Sequence, residues 1–563
     1  MIANLQALVR AGWLRCVDGE LGAWIARAFP DSAPEVALAA ALAARAVSEG
    51  HNALQLDAAQ AWLAGLAGRG EAPVLPDPVS WQASLRTSGA VHCVSGLDAS
   101  EIAPRKPLVL DAKGCLYLRR YFEYERQLAR NLVARANADL LKLVTGGPGS
   151  GKTHGVMRTL VSLAEAAHSQ RRTLRITLAA PTGKAAARLA ESVRAQLPEL
   201  APDATVSMMI PREASTLHRL LGLSPASARA KSHRDAPLPY DVVVVDEVSM
   251  VDLPLMAKLA DAVSGDATLI LLGDPDQLSA VEAGDVLGAL VEAAHEAPLS
   301  HCHVHLTQSH RLTEDSALRR LADAVVGGDA DAALAILQAE GETRLVDGAR
   351  HAPFIEHAVE AYRAILAAAD AAYALREANR FRLLAALRHG ASGSLALDCA
   401  IEQQLKRHAG VRPDASWWRG RLLMVTANRA EMGLFNGDVG VVWPDANGDP
   451  KVWFEGAGGA PRAVSPAALP PHEGAFALTV HKAQCSEFDR VALVLGADTP
   501  VLTRELLYTG VTRARSALQI HGDAALVRVG IARPTLRWNG LADRLREAAA
   551  GHISIAESLP DSE

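Results

Sequence analysis

The sequence predicts an α/β protein with two α/β domains, a helical region before them and a small antiparallel insert in the second. Two observations support this fold class. From Leu140 onward, short apolar runs rich in β-branched residues alternate with stretches of helical periodicity, and a second such series follows late in the chain. Apolar strands that alternate with helices are typical of parallel sheets covered by helices on both faces.

Composition indicates several buried cores. The chain has 563 residues, 49% of them hydrophobic, which allows about three or four domains of about 150 residues each. Basic and acidic residues number 57 and 63, for a net charge of −6, so nucleic acid would have to bind in a local groove. The six cysteines form no C-x-x-C pair, which argues against a disulfide framework and a thiolate zinc site.

Targeting signals are not evident in the sequence. No run of about 18 uncharged apolar residues occurs, and the first twenty residues lack a basic region followed by an apolar run and a cleavage site. We therefore expect a cytoplasmic protein with no membrane partner.

The first region, residues 1–115, is predicted to be helical. Alanine and leucine recur at helical spacing in "PEVALAAALAARAVSEG", and three prolines in "APVLPDPVSW" interrupt the pattern. No catalytic constellation is evident in it. The stretch "LYLRRYFEYERQLARNLVARA" that follows predicts an amphipathic connecting helix.

Residues 116–340 predict the first α/β domain, with strands in "LLKLVTGG", "LRITLAAPTG", "DVVVVDEVS", "ATLILLGDP" and "CHVHLTQSHR". Residues 341–563 predict the second, with strands in "RLLMVTANR", "FALTVHKAQ", "RVALVLG" and "LQIHGD". Within it, residues 436–474 are rich in glycine, proline and short alternating runs joined by N-G and G-D turns. This composition predicts a small antiparallel β insert.

A phosphate-binding loop is the strongest motif. "GGPGSGKT", Gly146 to Thr153, fits the pattern G-x-x-x-x-G-K-[ST] and lies between a predicted strand and a predicted helix. Glycines allow backbone N–H groups to point at phosphates, and the helix N-terminus adds positive potential. Lys152 would reach the β and γ phosphates of ATP, and the Thr153 hydroxyl would bind Mg²⁺.

Further polar residues follow predicted strands. Asp246 and Glu247 end the apolar run "DVVVV", where a carboxylate for Mg²⁺ and a second one to orient or deprotonate the attacking water are expected. Gln277 in "LILLGDPDQL" is suited to sensing the γ-phosphate through its amide. Arg311 and Arg513 are candidate arginine fingers, although either alone would read as a surface arginine.

Together these motifs resemble the superfamily 1 DNA helicases. "VTGGPGSGKT", "APTGKAAARL", "STLHRLLG", "VVVDEVSMVD", "LLGDPDQL", "LTQSHR", "TVHKAQCSEFD" and "LYTGVTRAR" occur in that family's order. Within this superfamily, the sequence most resembles the RecD family of branch 1B, whose members are alpha subunits of exodeoxyribonuclease V. The likeness covers most of the chain from Leu116 to about Leu545. It implies two RecA-like motor domains with ATP and Mg²⁺ in the cleft between them, an SH3-like insert and single-stranded DNA across the top.

The resemblance also implies roles for residues of this chain. Glu487 would lie near the nucleotide. The expected nucleotide-binding residues are Gly146, Gly147, Pro148, Gly149, Ser150, Gly151, Lys152, Thr153, His154 and Glu487, with Thr153 and Asp246 holding Mg²⁺. The expected catalytic residues are Lys152, Asp246, Glu247, Gln277, Arg311 and Arg513. The expected DNA-binding residues are Pro181, Thr182, Gly183, Lys184, Thr216, His218, Thr479, His481 and Lys482.

The implied function is ATP-dependent 5′-to-3′ translocation and unwinding of DNA during double-strand-break repair and recombination. The expected partners are single-stranded DNA, DNA ends, and the beta and gamma subunits of exodeoxyribonuclease V, RecB and RecC, with the N-terminal region as the docking surface. We expect no nuclease site in this chain. A stand-alone helicase of the same superfamily is an alternative, and the lack of a long extra N-terminal extension favours the subunit.

Two departures from the family pattern leave a further alternative open. Cys485 occupies the position of a glycine in H-K-[SA]-Q-G-S-E-F-D, and a Cβ there would cost about 1 kcal/mol if the backbone needs a positive φ. A glutamine that contacts adenine is expected before the first strand, but Gln127 is not in the expected setting. The chain could therefore be a structural or regulatory subunit with impaired ATP hydrolysis. A thiol-protease role for Cys485 is disfavoured.

Two other stretches are weaker candidates for functional sites. "HCHVH", His301 to His305, could face a metal, but no further ligand is apparent and a packed or solvated strand is favoured. "KRHAGVRPDASWWRGR", Lys406 to Arg421, interleaves basic residues with Trp417 and Trp418 and fits equally a DNA or partner contact or a packed loop.

Overall fold

The structure is a computed structural model, and it describes residues 5–66, 71–94, 106–201, 203–224, 229–308, 316–339, 341–346, 351–456 and 460–557. Within these ranges the strands form one small mixed sheet, two parallel sheets and one antiparallel sheet. In the described residues we find no helix with the length and apolar character needed to span a bilayer.

The N-terminal region packs helices around a small sheet. Its strands are ordered β1-β4-β3-β2, and the sequence did not predict them because strands of three or four residues give too little alternation to recognise. The elements are α1 (Leu5–Arg10), α2 (Cys16–Ala28), α3 (Pro34–Ser48), β1 (Ala53–Gln55), α4 (Ala59–Gly65), α5 (Pro78–Thr87), β2 (Val91–Cys93), β3 (Leu108–Leu110) and β4 (Cys115–Leu118).

The connecting helix α6 (Arg119–Asn137) leads into a parallel sheet with the order β10-β5-β9-β8-β6-β7. All five strands predicted for the first α/β domain are present. The elements are β5 (Leu141–Gly146), α7 (Lys152–Ser169), β6 (Ile176–Ala180), α8 (Gly183–Leu200), α9 (Ala204–Met209), β7 (Ser215–Thr216), α10 (Leu217–Leu220), β8 (Val242–Val245), α11 (Leu253–Ala262), β9 (Thr268–Gly273), α12 (Val286–Ala293) and β10 (His303–Leu306).

This sheet is buried on both faces, as its continuous apolar strands predict. Val243 and Val245 of β8 belong to one hydrophobic core, which includes residues of α6 and α11. Val242 and Val244 belong to a second core, which includes residues of α7 and α8. Because successive side chains of a strand point to opposite faces, an all-apolar strand requires helices on both sides.

A second parallel sheet has the order β11-β20-β19-β12-β18. Its elements, with the helices that precede and surround it, are α13 (Ala317–Val326), α14 (Ala330–Gln338), β11 (Thr343–Val346), α15 (His351–Leu366), α16 (Ala371–Arg380), β12 (Phe381–Ala385) and α17 (Ser394–His408), followed after the insert by β18 (Ala477–Thr479), β19 (Phe488–Val494), α18 (Arg504–Val511), β20 (Ala514–His521) and α19 (Ala524–Ala532). A further helix, α20 (Leu541–Glu557), follows them in the chain.

The antiparallel insert has the strand order β16-β15-β14-β13-β17. The prediction that "RLLMVTANR" is a strand of the parallel sheet was wrong, because β13 pairs antiparallel with β14 and β17. Its four residues are all buried, so its apolar run looks like that of a parallel strand. The strands are β13 (Leu422–Val425), β14 (Val439–Pro444), β15 (Pro450–Glu455), β16 (Pro461–Val464) and β17 (His472–Gly474).

The C-terminal segment returns to the first parallel-sheet domain. Leu541 and Leu545 of α20 share a core with Leu128 and Leu132 of α6. Just before this helix, the guanidinium of Arg537 donates hydrogen bonds to the carbonyl oxygens of Glu49 and Ala280. The C-terminal segment therefore ties the N-terminal region to the first parallel-sheet domain.

Candidate nucleotide site and DNA face

The phosphate loop joins β5 to α7 at the carboxyl edge of the first parallel sheet. Gly149 and Gly151 have φ angles of 77° and 82°, a left-handed conformation that glycine adopts without steric cost. A Cβ on Gly146 would lie 2.6 Å from the carbonyl oxygen of Leu306. The glycines of the motif therefore serve a tight loop that opens onto the N-terminus of α7, which favours bound anions.

Polar groups in and beside the loop fit a phosphate ligand. The ammonium of Lys152 lies across the loop and donates to the carbonyl oxygens of Gly146 and Gly147. Its positive charge lowers the pKa values of Asp246 and Asp274, opposing the burial that raises both. The Ser150 hydroxyl is buried and has no hydrogen-bond partner among the residues that the structure describes. A phosphate would engage both the Lys152 ammonium and this hydroxyl.

Asp246 and Glu247 follow β8, next to the phosphate loop. The Glu247 N–H donates to Asp246 Oδ1 over 2.8 Å, and Glu247 has a positive φ of 55°. Burial and the negative charge of Glu247 both raise the pKa of Asp246. A divalent cation would relieve this repulsion, and the Asp246 carboxylate and Thr153 hydroxyl are oxygen ligands of the kind Mg²⁺ prefers. The residues therefore fit the expected metal.

The loop after β9 is hydrogen-bonded to the second parallel-sheet domain. Gln277 donates to Asp274 over 2.8 Å, and the Tyr508 hydroxyl of α18 donates to the same carboxylate over 3.2 Å. The Leu278 N–H donates to Thr509 Oγ1 over 2.9 Å, and the Leu278 carbonyl accepts from Gln484 over 3.0 Å. The second domain is thus hydrogen-bonded directly to the edge that carries the phosphate loop.

Arg513 comes from the second domain and is buried. Its guanidinium donates to the carbonyl oxygens of Thr509 over 3.0 Å and Ser486 over 3.2 Å, and to the Thr512 hydroxyl over 3.3 Å. Arg513 is therefore held within its own domain in this structure. The other finger candidate, Arg311, lies outside the described residues.

A cavity of about 320 Å³ opens beside the phosphate loop, between the first domain and helices α13 and α18. It is lined by Pro148 and Ser150 of the loop, by His305 of β10 and by Tyr508 of α18.

Two residues expected at the nucleotide bind other side chains in this structure. The imidazole of His154 contacts the side chain of Gln196, and Glu487 forms an ion pair with Arg515 over 3.2 Å.

The DNA-face candidates of the first domain lie at helix starts. Thr182 and Thr216 each cap a helix through their side-chain oxygen, accepting from Ala185 N–H and Arg219 N–H, while His218 is exposed. Lys184 donates to Ser486 Oγ over 2.7 Å and to the carbonyl of Gly437 over 3.1 Å. Gly183 packs so closely on the insert that a Cβ would lie 2.4 Å from the ring of Phe435, and Pro181 is half-buried beside it.

The DNA-face candidates of the second domain follow β18. The Thr479 hydroxyl accepts from the Lys482 N–H over 3.3 Å, and the Lys482 ammonium forms an ion pair with Glu473 of the insert. Burial lowers the pKa of His481, with a smaller contribution from the charge of Arg537. In this structure the two candidate lysines, Lys184 and Lys482, both bind protein groups.

Cys485 has a positive φ of 58°, which is the backbone conformation that explains a glycine at this position. Its side chain is buried and clusters with Ala180, Ala185 and Ala186 of the first domain, and the sulfur lies 3.6 Å from that of Met250. Burial raises the pKa of the thiol well above its usual value, so it is no activated nucleophile. Cys485 is an interdomain packing residue with a left-handed backbone.

The side chains of the two weaker candidate sites, His301 to His305 and Lys406 to Arg421, contact other groups of the protein. His303 and His305 both hydrogen bond to the buried hydroxyl of Thr145, over 2.8 and 2.9 Å, and within the described ranges no group of three or more potential ligands is arranged for a metal. Trp418 is buried, stacks on Phe476 and donates to Glu402, as in a packed loop. Trp417 lies against His472.

Several residues of the site were missed by reasoning from sequence. Asp274 could have been found, because it follows a buried parallel strand just as Asp246 does. Tyr508, Thr509 and Ser486 offered no such signal, because their roles arise from contacts between domains that are distant in sequence.

Comparison with known families gives three matches along the chain. Residues 10–117 match the family described as "RecBCD enzyme subunit RecD, N-terminal domain". Residues 129–283 match an AAA domain, and residues 474–520 match the UvrD-like helicase C-terminal domain. These matches cover parts of the N-terminal region and of both parallel-sheet domains.

Comparison with curated proteins gives relatives over nearly the whole length. The chain is 38% identical to the RecBCD enzyme subunit RecD of Mycobacterium tuberculosis, covering 97% of both chains. It is 35% identical to the same subunit of Haemophilus influenzae, covering 74% of this chain and 72% of the relative. It is 33% identical to the ATP-dependent RecD2 DNA helicase of Deinococcus radiodurans, covering 72% of this chain and 50% of the relative.

Proposed function

This chain belongs to the RecD family of RecBCD enzyme subunits, and from that membership we propose that it is an ATP-dependent DNA helicase subunit that translocates 5′ to 3′ along single-stranded DNA. One observation supports the proposal most strongly. The phosphate loop and the Asp246–Glu247 pair lie at a sheet edge to which a second parallel-sheet domain is joined through Asp274, Tyr508 and Thr509. A nucleotide held there would control how the two domains meet.

The chemistry of ATP hydrolysis is assigned to residues of both domains. Lys152 and the backbone of residues 146–151 hold the phosphates, and Glu247 orients or deprotonates the attacking water. Gln277 senses the γ-phosphate from its position on Asp274, and Arg513, with Arg311, neutralises charge on the transferring group. Thr153 and Asp246 would hold Mg²⁺, which would supply charge neutralisation at the phosphates.

DNA binding is assigned to the face on which Lys184, Thr216, His218, Thr479 and Lys482 lie. Hydroxyl, imidazole and ammonium groups contact phosphates without reading base sequence, which suits a motor that moves along any strand. Because Lys184 and Lys482 are engaged with protein groups here, DNA phosphates would have to replace Ser486 and Glu473 as their partners.

The N-terminal region is proposed to dock the other subunits of exodeoxyribonuclease V, RecB and RecC, and the nuclease of the complex is proposed to belong to a partner. Residues 10–117 match the N-terminal domain of the RecD family, which supports this assignment. The complex would act at DNA ends in double-strand-break repair.

A second candidate function is a subunit that binds partners and DNA but hydrolyses ATP poorly. The observation that favours it is the left-handed backbone of Cys485, because a side chain in this conformation costs about 1 kcal/mol relative to glycine. Lys152, Asp246, Glu247 and Arg513 are all present and favour the active motor.

We expect ATP hydrolysis by the purified chain to be stimulated at least about tenfold by single-stranded DNA, because both proposed sites lie at one domain junction. The assay compares the parent with Cys485→Gly, in the presence and absence of DNA. An inactive parent whose activity is recovered in Cys485→Gly would instead support the impaired subunit. If neither chain hydrolysed ATP, the motor assignment would be wrong.

A further inference from the structure

We propose that Ser486 is a positioning residue that couples the DNA face to the nucleotide cleft, an inference that rests on the proposed function. Its hydroxyl accepts a hydrogen bond from Lys184 of the first domain, and its backbone carbonyl accepts one from Arg513. One residue therefore joins a candidate DNA-binding lysine to a candidate arginine finger.

The contact on the DNA face is short and partly buried. Lys184 Nζ lies 2.7 Å from Ser486 Oγ and 3.1 Å from the carbonyl oxygen of Gly437 in the insert. Burial, with a smaller contribution from the charge of Arg188, lowers the pKa of this lysine to about 8. The two oxygens that it contacts, a hydroxyl and a carbonyl, are uncharged. A DNA phosphate would be a better partner for the ammonium than a hydroxyl and a carbonyl, because it is charged.

At the nucleotide cleft, groups of its own domain occupy the donors of Arg513. Besides Ser486, the guanidinium donates to the carbonyl of Thr509 and the hydroxyl of Thr512, all within its own domain. An arginine finger must turn its planar donors toward the transferring phosphoryl group. The bonds seen here therefore belong to a resting arrangement.

The backbone around Ser486 is fixed on the first domain. Cys485 carries its side chain into the cluster of Ala180, Ala185 and Ala186, and the last two of these belong to α8, the helix of Lys184. The Ser486 N–H donates to the carbonyl of Ala483. A shift of α8 would therefore be transmitted to the peptide whose carbonyl holds Arg513.

The coupling follows from competition for Lys184. When a DNA phosphate takes the ammonium, Ser486 loses its contact with α8, the backbone at Cys485 and Ser486 is released, and Arg513 can leave its resting position. The Lys184–Ser486 bond thus exists in the DNA-free state alone. Removing it should favour the DNA-bound arrangement without changing that arrangement itself.

The test uses Ser486→Ala in the full chain, with two readouts. In the variant, the concentration of labelled oligothymidine that half-saturates the protein, measured by fluorescence anisotropy, should fall about fivefold, since one bond that competes with DNA is gone. ATP hydrolysis without DNA should rise about fivefold, and hydrolysis at saturating DNA should stay within about twofold of the parent.

Two further variants sharpen the result. Ser516→Ala removes a hydroxyl that donates to the Asp489 carbonyl on the exposed surface of the same domain, and it should change neither readout by more than about twofold. Lys184→Met should raise DNA-free hydrolysis by the same factor as Ser486→Ala, and the double variant should raise DNA-free hydrolysis no further.

Unchanged DNA affinity and unchanged DNA-free hydrolysis in Ser486→Ala would overturn the proposal. Weaker DNA binding with both rates lowered together would also overturn it, because that pattern indicates a structural or DNA-contacting serine. Additive effects of Ser486→Ala and Lys184→Met on DNA-free hydrolysis would exclude the direct bond. A parent without DNA-stimulated hydrolysis would contradict the proposed function instead, and the anisotropy measurement would still decide the role of Ser486.

Discussion

Lys152→Ala is expected to lower kcat for ATP hydrolysis about a thousandfold, because phosphoryl transfer depends almost entirely on positioning and electrostatic stabilisation. The ammonium lies across the phosphate loop and its charge acts on Asp246 and Asp274. Without this ammonium, the phosphates of ATP would lose a positively charged contact, and the two carboxylates would lose the nearby positive charge. The change is measured as steady-state phosphate release at saturating ATP and single-stranded DNA.

Lys142→Ala is the matched control for this variant. Lys142 lies on β5, the strand that leads into the phosphate loop, ten positions before Lys152 in the chain, and it is half-buried. We expect its removal to change kcat by less than about twofold, as for most substitutions away from a site. Equal activity of the Lys152→Ala variant and the parent would show that the phosphate loop is not the hydrolytic site.

Arg513→Ala is expected to lower kcat about a thousandfold with little change in nucleotide binding, since an arginine finger stabilises charge that develops in the transition state. Arg513→Lys should recover a small part of this loss, because an ammonium supplies charge without the planar fork. Hydrolysis and the binding of a fluorescent ATP analogue are measured on the same preparations.

The control for the finger is Arg528→Ala. Arg528 is an exposed arginine of the same domain, paired with Asp331 over 2.6 Å, and exposed ion pairs contribute little to stability. Because Arg513 makes three buried hydrogen bonds, thermal unfolding of each variant separates a folding defect from a catalytic one. A folded Arg513→Ala protein with parental kcat would show that this residue is not the finger.

Much of the fold follows from patterns that act within a few residues. Five of the six strands of the first parallel sheet were predicted, most of them from largely apolar runs followed by polar residues or glycine. The sixth, β7, has only two residues and gives no such pattern. The same apolar pattern led to the assignment of Leu422–Val425 to the wrong sheet. It is equally apolar and equally buried, but its neighbours in the sheet are antiparallel, and burial of one strand does not encode the direction of its partners.

In the candidate site, too, the residues placed by local structure could be predicted, and the contacts between distant parts of the chain could not. Lys152, Asp246 and Glu247 could be predicted because a strand, a loop and a helix place them locally. The bond between Lys184 and Ser486 joins residues 302 positions apart across a domain boundary, and no periodicity encodes such a pairing. Cys485 lies between these cases, since the family pattern marks it as unusual and the structure gives its φ of 58°.

Strand displacement by the purified chain tests the central claim most directly. The substrates are two forked or tailed duplexes that differ only in whether the single-stranded tail ends 5′ or 3′, incubated with ATP and Mg²⁺. An ATP-driven 5′-to-3′ motor predicts displacement of the duplex with the 5′ tail, dependent on ATP and lost in Lys152→Ala. The account would be contradicted if only the duplex with the 3′ tail were displaced, or if displacement persisted without ATP.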